Sequence, residues 1–121
     1  MPVITGTTKL LGVMGHPITH SFSPIMHNAA IAELGVDFVY LPFSVDPEKL
    51  LDAVQGLAAI GVQGFNVTIP HKQLIMRALA DVSPLAQAVG AVNTVWQGAT
   101  GWHGTNTDVT GFLAPLRSLP R

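Results

Sequence analysis

The sequence has no cysteine, and only 11% of its 121 residues are charged. Without cysteine it can form no disulfide, no thiolate metal site and no thiol nucleophile. Its formal net charge is -1, so it has no basic field that would hold nucleic acid or an anionic membrane surface. We therefore expect no nucleic-acid partner and no membrane partner. Any ligand must be recognised by a few local side chains.

Targeting and membrane-spanning segments are also missing from the sequence pattern. Residues 1–10 lack a basic stretch followed by an apolar core, and no apolar run reaches the ~18 to 20 residues of a membrane span. The expected location is therefore cytoplasmic. Hydrophobic residues make up 48% of the chain, and a domain of this length buries about two-thirds of the surface that its unfolded chain exposes. These properties predict one domain with its own core.

Strand and helix patterns alternate in the first half of the chain. Apolar runs predict strands over residues 10–14, 36–43 and 62–67. Ser23-Pro24 and Asp46-Pro47 are helix-start signals between them, because Ser and Asp are favoured caps and Pro is favoured at the first helical position. The apolar faces predicted for the two helices are Met26, Ala30 and Leu34 in the first, and Leu50, Leu51, Val54, Leu57 and Ala58 in the second. Helical crossovers of this length imply parallel neighbouring strands.

The second half of the chain predicts a helix from Pro70 through Ala80 and a short helix opened by Ser83-Pro84. Residues 91–97 and 101–104 flank a glycine-containing turn and predict an antiparallel hairpin. Helical spacing returns over residues 107–119, although Pro115 would interrupt a regular helix. The predicted fold class is α/β: an open, twisted, mostly parallel sheet flanked by helices in three layers, with a late antiparallel hairpin.

Four short polar clusters interrupt this apolar chain where strand-forming runs stop. They are Ser21-Phe22-Ser23-Pro24, Asn66 to Lys72, Asn93-Thr94 and Asn106-Thr107-Asp108. In an open α/β sheet, ligands bind in the crevice beyond the carboxyl ends of the strands. The clusters therefore predict a site for a polyhydroxylated, anionic small molecule.

Each candidate residue has a functional interpretation and a structural one. Ser21 and Ser23 precede a predicted helix, where hydroxyls and free backbone N–H groups can bind a carboxylate; alternatively, Ser23 is only a helix cap and Ser21 a turn residue. Lys72 and Asp108 could together exchange a proton with an alcohol. Alternatively, Lys72 is a solvated lysine and Asp108 a carboxylate that favours a helix N-terminus.

Asparagine and glycine carry weaker signals. Asn66, Asn93 and Asn106 each offer a donor and an acceptor, but asparagine is also a common turn residue. The five histidines show no metal-ligand spacing, and we expect no metal site. Gly98, Gly101 and Gly104 do not fit the G-x-G-x-x-G spacing and lie in the predicted hairpin, so no dinucleotide-binding turn is predicted here.

Four segments together resemble one family, the substrate-binding domain of shikimate dehydrogenase, in order and along nearly the whole chain. They are Gly15-His16-Pro17-Ile18-Thr19-His20-Ser21-Phe22-Ser23-Pro24, Asn66-Val67-Thr68-Ile69-Pro70-His71-Lys72, Gly90-Ala91-Val92-Asn93-Thr94 and Gly104-Thr105-Asn106-Thr107-Asp108. The chain departs from many relatives at His16, where they carry Asn, and at Thr105, where they carry Asp. Neither departure falls on a residue that we expect to be catalytic.

The resemblance implies an activity and a role for each polar residue. The implied reaction is the reversible NADPH-dependent reduction of 3-dehydroshikimate to shikimate, a step of aromatic amino acid and chorismate biosynthesis. Ser21 and Ser23 would bind the substrate carboxylate, and Lys72 and Asp108 would be the catalytic pair. The ring hydroxyls would be held by Asn66, Thr68, Asn93 and Asp108. The implied fold is that of an aminoacid-dehydrogenase-like N-terminal domain.

Family members are about twice as long as this chain, and the resemblance therefore raises the expectation of a fragment. Residues 1–121 would be the shikimate-binding catalytic domain, without the C-terminal NADP-binding Rossmann domain. Such a fragment is expected to bind no cofactor, to be inactive alone, and to self-associate through surface that the missing part would cover. The alternatives are a quinate/shikimate dehydrogenase, use of NAD in place of NADP, and a binding module for a small hydroxy acid without chemistry.

Overall fold

One mixed sheet organises the part of the chain that the computed structural model describes, residues 3–108. Its strands there are β1 (Lys9–Gly15), β2 (Phe38–Ser44), β3 (Gly64–Val67), β4 (Asp81–Val82), β5 (Thr94–Gly98) and β6 (Gly101–Thr105). The α-helices described are α1 (Ser23–Leu34), α2 (Leu50–Ala59) and α3 (Pro84–Val89), and 3-10 turns cover Pro47–Lys49 and Leu74–Ala78. Among these, no helix has the length and apolar character needed to cross a membrane.

The strand order is β2-β1-β3-β5-β6-β4. β1 is parallel to both β2 and β3, and β4 is parallel to β6. β5 runs antiparallel to β3 and to β6, which makes β5 and β6 the predicted hairpin. The fold class predicted from the sequence, a mostly parallel sheet with a late hairpin, is confirmed.

Successive residues of β1 point into two cores on opposite faces of the sheet, as the period of two in a strand requires. Met14 is fully buried in the larger core together with Phe65 and Trp102, and α2 covers this face with Leu50, Val54 and Leu57. Val13 packs in the smaller core with Ile18, Ile31 and Tyr40. The predicted apolar face of α2 is therefore confirmed at three positions, whereas Leu51 and Ala58 are exposed.

The predicted face and cap of α1 are wrong. Met26 and Leu34 are 67% and 74% exposed, and Ile31 is the buried residue of this helix. Apolar residues occur all round α1, so a stripe of fourfold spacing does not identify its inner face. Ser23 is the first helical residue rather than the cap, and its N–H donates to the hydroxyl oxygen of Ser21 at 3.2 Å.

The predicted helix from Pro70 to Ala80 is also wrong, since this segment forms only the 3-10 turn Leu74–Ala78. The carbonyl of Lys72 accepts a hydrogen bond from the N–H of Val92 at 2.8 Å. It is therefore engaged with a distant part of the chain, instead of accepting from a residue four positions on as an α-helix requires. A tertiary hydrogen bond thus displaces the local helical pattern.

The other helix-start signals are correct. The Asp46 carboxylate accepts from the N–H of Glu48 at 2.9 Å, and the Ser83 hydroxyl accepts from the N–H of Ala86 at 3.2 Å. β4 was not predicted because two residues are too few to show a period. The helical pattern predicted over 107–119 lies outside the described residues beyond Asp108.

Substituting alanine at two glycines should have opposite effects on stability. A Cβ on Gly12, in the middle of β1, would overlap the Phe43 ring and lie 2.6 Å from the Leu41 carbonyl oxygen. Gly12→Ala should therefore lower the free energy of unfolding by about 1 to 3 kcal/mol. A Cβ on Gly56, within α2, would meet nothing within 4 Å, so Gly56→Ala should raise it by about 0.5 to 1 kcal/mol. Urea unfolding followed by tryptophan fluorescence measures both, and equal effects would contradict the proposed packing of Phe43 on β1.

Candidate active site

The four polar clusters lie along one edge of the sheet. β1 and β3 both end there, and β6 ends next to them because Thr94 pairs with Asn66 on one side and with Thr105 on the other. Asn93 precedes β5 rather than ending a strand as the sequence suggested. Because β5 is antiparallel, its start falls at the same edge as the ends of β3 and β6. Segments that are far apart in the sequence therefore converge.

Lys72 and Asp108 form an ion pair at this edge. The Lys72 Nζ lies 3.0 Å from Asp108 Oδ2, and the two side chains are 33% and 60% exposed. The N–H of Asp108 donates to the Asn106 side-chain oxygen at 2.9 Å, and the amide nitrogen of Asn106 donates to the Ala91 carbonyl at 3.1 Å. Asn106 is only 3% exposed. A buried amide thus holds the carboxylate-bearing residue in reach of the amine.

Asn93 holds the residue next to Asp108. Its side-chain oxygen accepts from the N–H of Thr107 and from the Thr94 hydroxyl, both at 2.9 Å. Its amide nitrogen donates to the Thr107 hydroxyl at 3.0 Å. Asn93 is 8% exposed, so these bonds satisfy polar atoms that water does not reach freely. This side chain thus fixes Thr107, which follows β6, against the residue that precedes β5.

Tyr40 is a residue of the site that the sequence analysis missed. Its hydroxyl donates to the Asn66 side-chain oxygen at 2.7 Å, and Asn66 in turn donates to the Asn93 carbonyl at 3.4 Å. Burial raises the pKa of Tyr40 to about 12, although a hydrogen bond with Ser23 acts in the opposite direction. A single tyrosine within an apolar strand was the available signal, since a buried phenol needs a hydrogen-bond partner.

Ser21 and Ser23 lie together at the start of α1, and Ser23 adjoins the Tyr40 hydroxyl. Because the Ser21 hydroxyl oxygen accepts from the backbone of Ser23, its hydrogen can be donated elsewhere. Thr68 directly follows β3, where its N–H donates to the Met14 carbonyl at 2.9 Å and its methyl group lies beside Gly15. The seven residues to which the resemblance gives a role therefore lie on segments at the end of the sheet that carries the ion pair.

A cavity of about 200 Å³ adjoins the hydrogen bond between Tyr40 and Asn66. Its walls include Leu11, His27 and Thr94 as well as those two side chains. The His27 ring stacks on Tyr40 with 4.1 Å between ring centroids. Asn66 is thus the candidate residue that lines this mainly apolar cavity, and a few polar groups in an apolar cavity are typical of small-molecule sites.

The fold and the polar groups at this edge are typical of α/β domains whose ligand site lies beyond the ends of the strands. The family model described as "Shikimate dehydrogenase substrate binding domain" matches residues 13–95. The chain belongs to this family, as its four motifs predicted.

Several relatives are similar over nearly all of the chain. The "Shikimate dehydrogenase (NADP(+))" of Gloeothece citriformis is 63% identical over 98% of this chain and 41% of its own length. The shikimate dehydrogenase of Listeria monocytogenes, solved in complex with shikimate and NAD, is 46% identical with a TM-score of 0.90, over 97% of this chain and 40% of that one. A shikimate dehydrogenase solved in complex with NADP+ is 46% identical with a TM-score of 0.91, over 96% and 40%. The chain thus spans about 40% of the length of these relatives.

Tyr40 provides a direct test of burial at this site, because it is the sole tyrosine in the sequence and its titration can be followed alone. Absorbance at the phenolate band should give a midpoint near 12 for the folded chain, against an ordinary value of 10.0. The neutral phenol is favoured in the folded state, so its stabilisation is complete below pH 10 and is lost as the pH rises towards 12.

Ser23→Ala should raise the Tyr40 pKa further, because the hydrogen bond from Ser23 lowers it. The matched control is Thr100→Ala, in the turn between β5 and β6, which should leave the midpoint unchanged. Circular dichroism must show that the chain remains folded during the titration. A midpoint near 10 in a folded chain would mean that Tyr40 is not buried as described.

Proposed function

We propose that this chain binds shikimate and 3-dehydroshikimate and that, in the whole protein, it supplies the proton-transfer groups of an NADP-dependent shikimate dehydrogenase. The observation that carries the proposal is the 3.0 Å contact between Lys72 and Asp108 at the edge where the family motifs converge. The names of the relatives support the activity, and the complex of the Listeria monocytogenes enzyme with shikimate supports the ligand.

The two serines are proposed to bind the ligand carboxylate. Hydrogen bonds to a charged group contribute about 1.5 to 3 kcal/mol each, so two hydroxyls can orient a small acid without an arginine. Ser21 can donate because its oxygen already accepts from the backbone of Ser23. The N–H groups in the first turn of α1 add partial positive charge on the same side.

The ring hydroxyls are proposed to contact Asn66, Thr68, Asn93 and Asp108. Asn93 would contribute through its amide nitrogen, since its oxygen already accepts from Thr107 and Thr94. Asn66 is fixed by Tyr40 on one side and by the Asn93 carbonyl on the other. Amides held in this way present their remaining groups in fixed directions, which favours one arrangement of hydroxyls over another.

Lys72 is proposed to move the proton. In the reduction, its ammonium group donates a proton to the oxygen of the ring carbonyl, which becomes the new hydroxyl. In the reverse direction, the uncharged amine accepts the proton from that hydroxyl. Asp108 orients the amine through the ion pair. The positive charge also stabilises the developing alkoxide.

The hydride that completes the reaction is the chemistry that NADP would supply, but residues 3–108 do not fit its phosphates. The turn from β1 to α1 contains Gly15 and Pro17 and no glycine-rich phosphate loop. Lys72, the cation at this edge of the described residues, is paired with Asp108. Binding of the cofactor is therefore assigned to no residue of the described range 3–108.

A chimera tests the proposed function. In it, this chain replaces the matching segment of the Gloeothece citriformis enzyme, and we expect shikimate-dependent reduction of NADP+. Lys72→Ala should lower kcat by about 10²- to 10⁴-fold, as expected for loss of a general acid, with a much smaller change in KM. Lys49→Ala, an exposed lysine in the turn before α2, should leave both unchanged.

Other outcomes would contradict parts of this proposal. Equal losses in kcat and in substrate affinity would make Lys72 a binding residue. Tight saturation of the 121-residue chain with shikimate in calorimetry, together with no turnover by the chimera, would favour a binding module. Absence of both binding and turnover would contradict the assigned substrate.

We further propose that the isolated chain self-associates, with a second copy as the partner, through the outer side of α1. Phe22, Ile25 and Met26 are 73%, 70% and 67% exposed there. Large apolar side chains grouped on a surface mark an interaction site. Glu33, near the end of α1, is the one charged residue of this helix, so like-charge repulsion between copies is small.

Sedimentation velocity from micromolar to millimolar concentration should show an average mass that rises with concentration. Ile25→Glu should return the chain to the monomer, because it places a charge in the apolar patch. Ile60→Glu is the control, since Ile60 is 64% exposed at the far end of α2. A monomer at every concentration would contradict self-association.

A further inference from the structure

His71 is fully buried, whereas the side chain of its neighbour Lys72 is partly exposed. Its Nε2 lies 2.6 Å from the carbonyl oxygen of Val45, just after β2. A carbonyl oxygen can only accept, so Nε2 must carry the proton in this contact. The ring therefore joins the loop that follows β3 to the loop that follows β2.

The backbone on both sides of the ring is fixed as well. The N–H of His71 donates to the Thr68 carbonyl at 3.0 Å, and its own carbonyl accepts from Ile75 at 2.9 Å. Val45 is tied to the end of β1, since its N–H donates to the Gly15 carbonyl at 3.0 Å. The contact between His71 and Val45 thus connects the turn before Lys72 to two parallel strands.

The other ring nitrogen of His71, Nδ1, indicates why a histidine occupies this position. Nδ1 of His71 is buried and has no hydrogen-bond partner among the described residues. A buried acceptor without a partner is unfavourable, and an apolar side chain of similar size would avoid it. Packing alone therefore does not account for histidine at this position, whereas a required hydrogen bond to Val45 does.

We propose that His71 is a positioning residue, which aims the Lys72 amine at Asp108 by fastening the turn of residues 68–72 to Val45. The carbonyl of Lys72 is held from the opposite direction by the N–H of Val92. With both ends fixed, the long lysine side chain starts from a defined point and direction. Its catalytic consequence rests on the function proposed for Lys72, but the positioning itself does not.

Nuclear magnetic resonance of the 121-residue chain tests the positioning without any substrate. The sequence has three lysines, Lys9, Lys49 and Lys72, so their side-chain amine signals can be assigned by substitution. Asp108→Asn defines the Lys72 signal without the ion pair. His71→Phe should move the Lys72 signal more than halfway to that position, because it removes the link to Val45.

His71→Gln should preserve the wild-type Lys72 signal, since its amide N–H can take the place of Nε2–H. Ile75→Val is the packing control: Ile75 is equally buried one turn away, and this change should leave the signal in place. A wild-type Lys72 signal in folded His71→Phe, or an equal shift in Ile75→Val, would overturn the proposal. In the unmodified chain, nitrogen shifts of the His71 ring must show the proton on Nε2, and a proton on Nδ1 instead would also overturn it.

The chimera gives the catalytic readout. His71→Phe should lower kcat about 10- to 100-fold while KM changes less than about twofold, the signature of a misplaced group rather than a lost contact. His71→Gln should restore most of kcat. If the parent chimera does not turn over shikimate, the proposed function fails while the amine signals still decide the positioning. If it does, and His71→Phe retains kcat, the positioning role alone fails.

Discussion

The antiparallel direction of β5 is the constraint on which the site depends. β1 and β3 are parallel, so their ends bring the first two polar clusters to one edge of the sheet. A third parallel strand would have placed Asn93 at the opposite edge. Because β5 reverses, its first residue pairs with Asn66, and the return strand β6 delivers Asn106 and Asp108 beside them. The short hairpin thus closes the site around Lys72.

Within this edge, buried amides hold residues that face solvent. Asn93 and Asn106 are nearly inaccessible, and their hydrogen bonds fix the backbone of Thr107 and Asp108. Asn66 is fixed by Tyr40 in the same manner. Since a buried polar atom without a partner is costly, each amide has few alternative arrangements. The exposed residues Thr107 and Asp108 are therefore held in a geometry that their flexible side chains alone would not maintain.

Much of the fold could be predicted from the sequence because its signals are local, and so could the positions of the candidate site residues near the ends of strands. The strand runs, the Asp46 and Ser83 caps and the hairpin turn each depend on neighbouring residues. The helix predicted from Pro70 is absent because the Lys72 carbonyl bonds to the distant Val92, and no local pattern contains that bond. Tyr40 and His71 were missed for the same reason, because their partners are strands apart.

The solvent exposure of the Lys72–Asp108 ion pair indicates that its main role is not to stabilise the fold. An ion pair this open to solvent contributes about 0 to 1 kcal/mol to stability, yet Asp108 is held by a buried amide and Lys72 follows a buried anchor. A contribution this small to stability does not explain why buried hydrogen bonds fix the residues on both sides of the pair. A ligand that covers the pair would exclude water and strengthen its electrostatic effect on the reacting oxygen. The hydrogen bonds of Asn106 and His71 are therefore best explained by ligand binding, because they fix the geometry of the ion pair before a ligand binds.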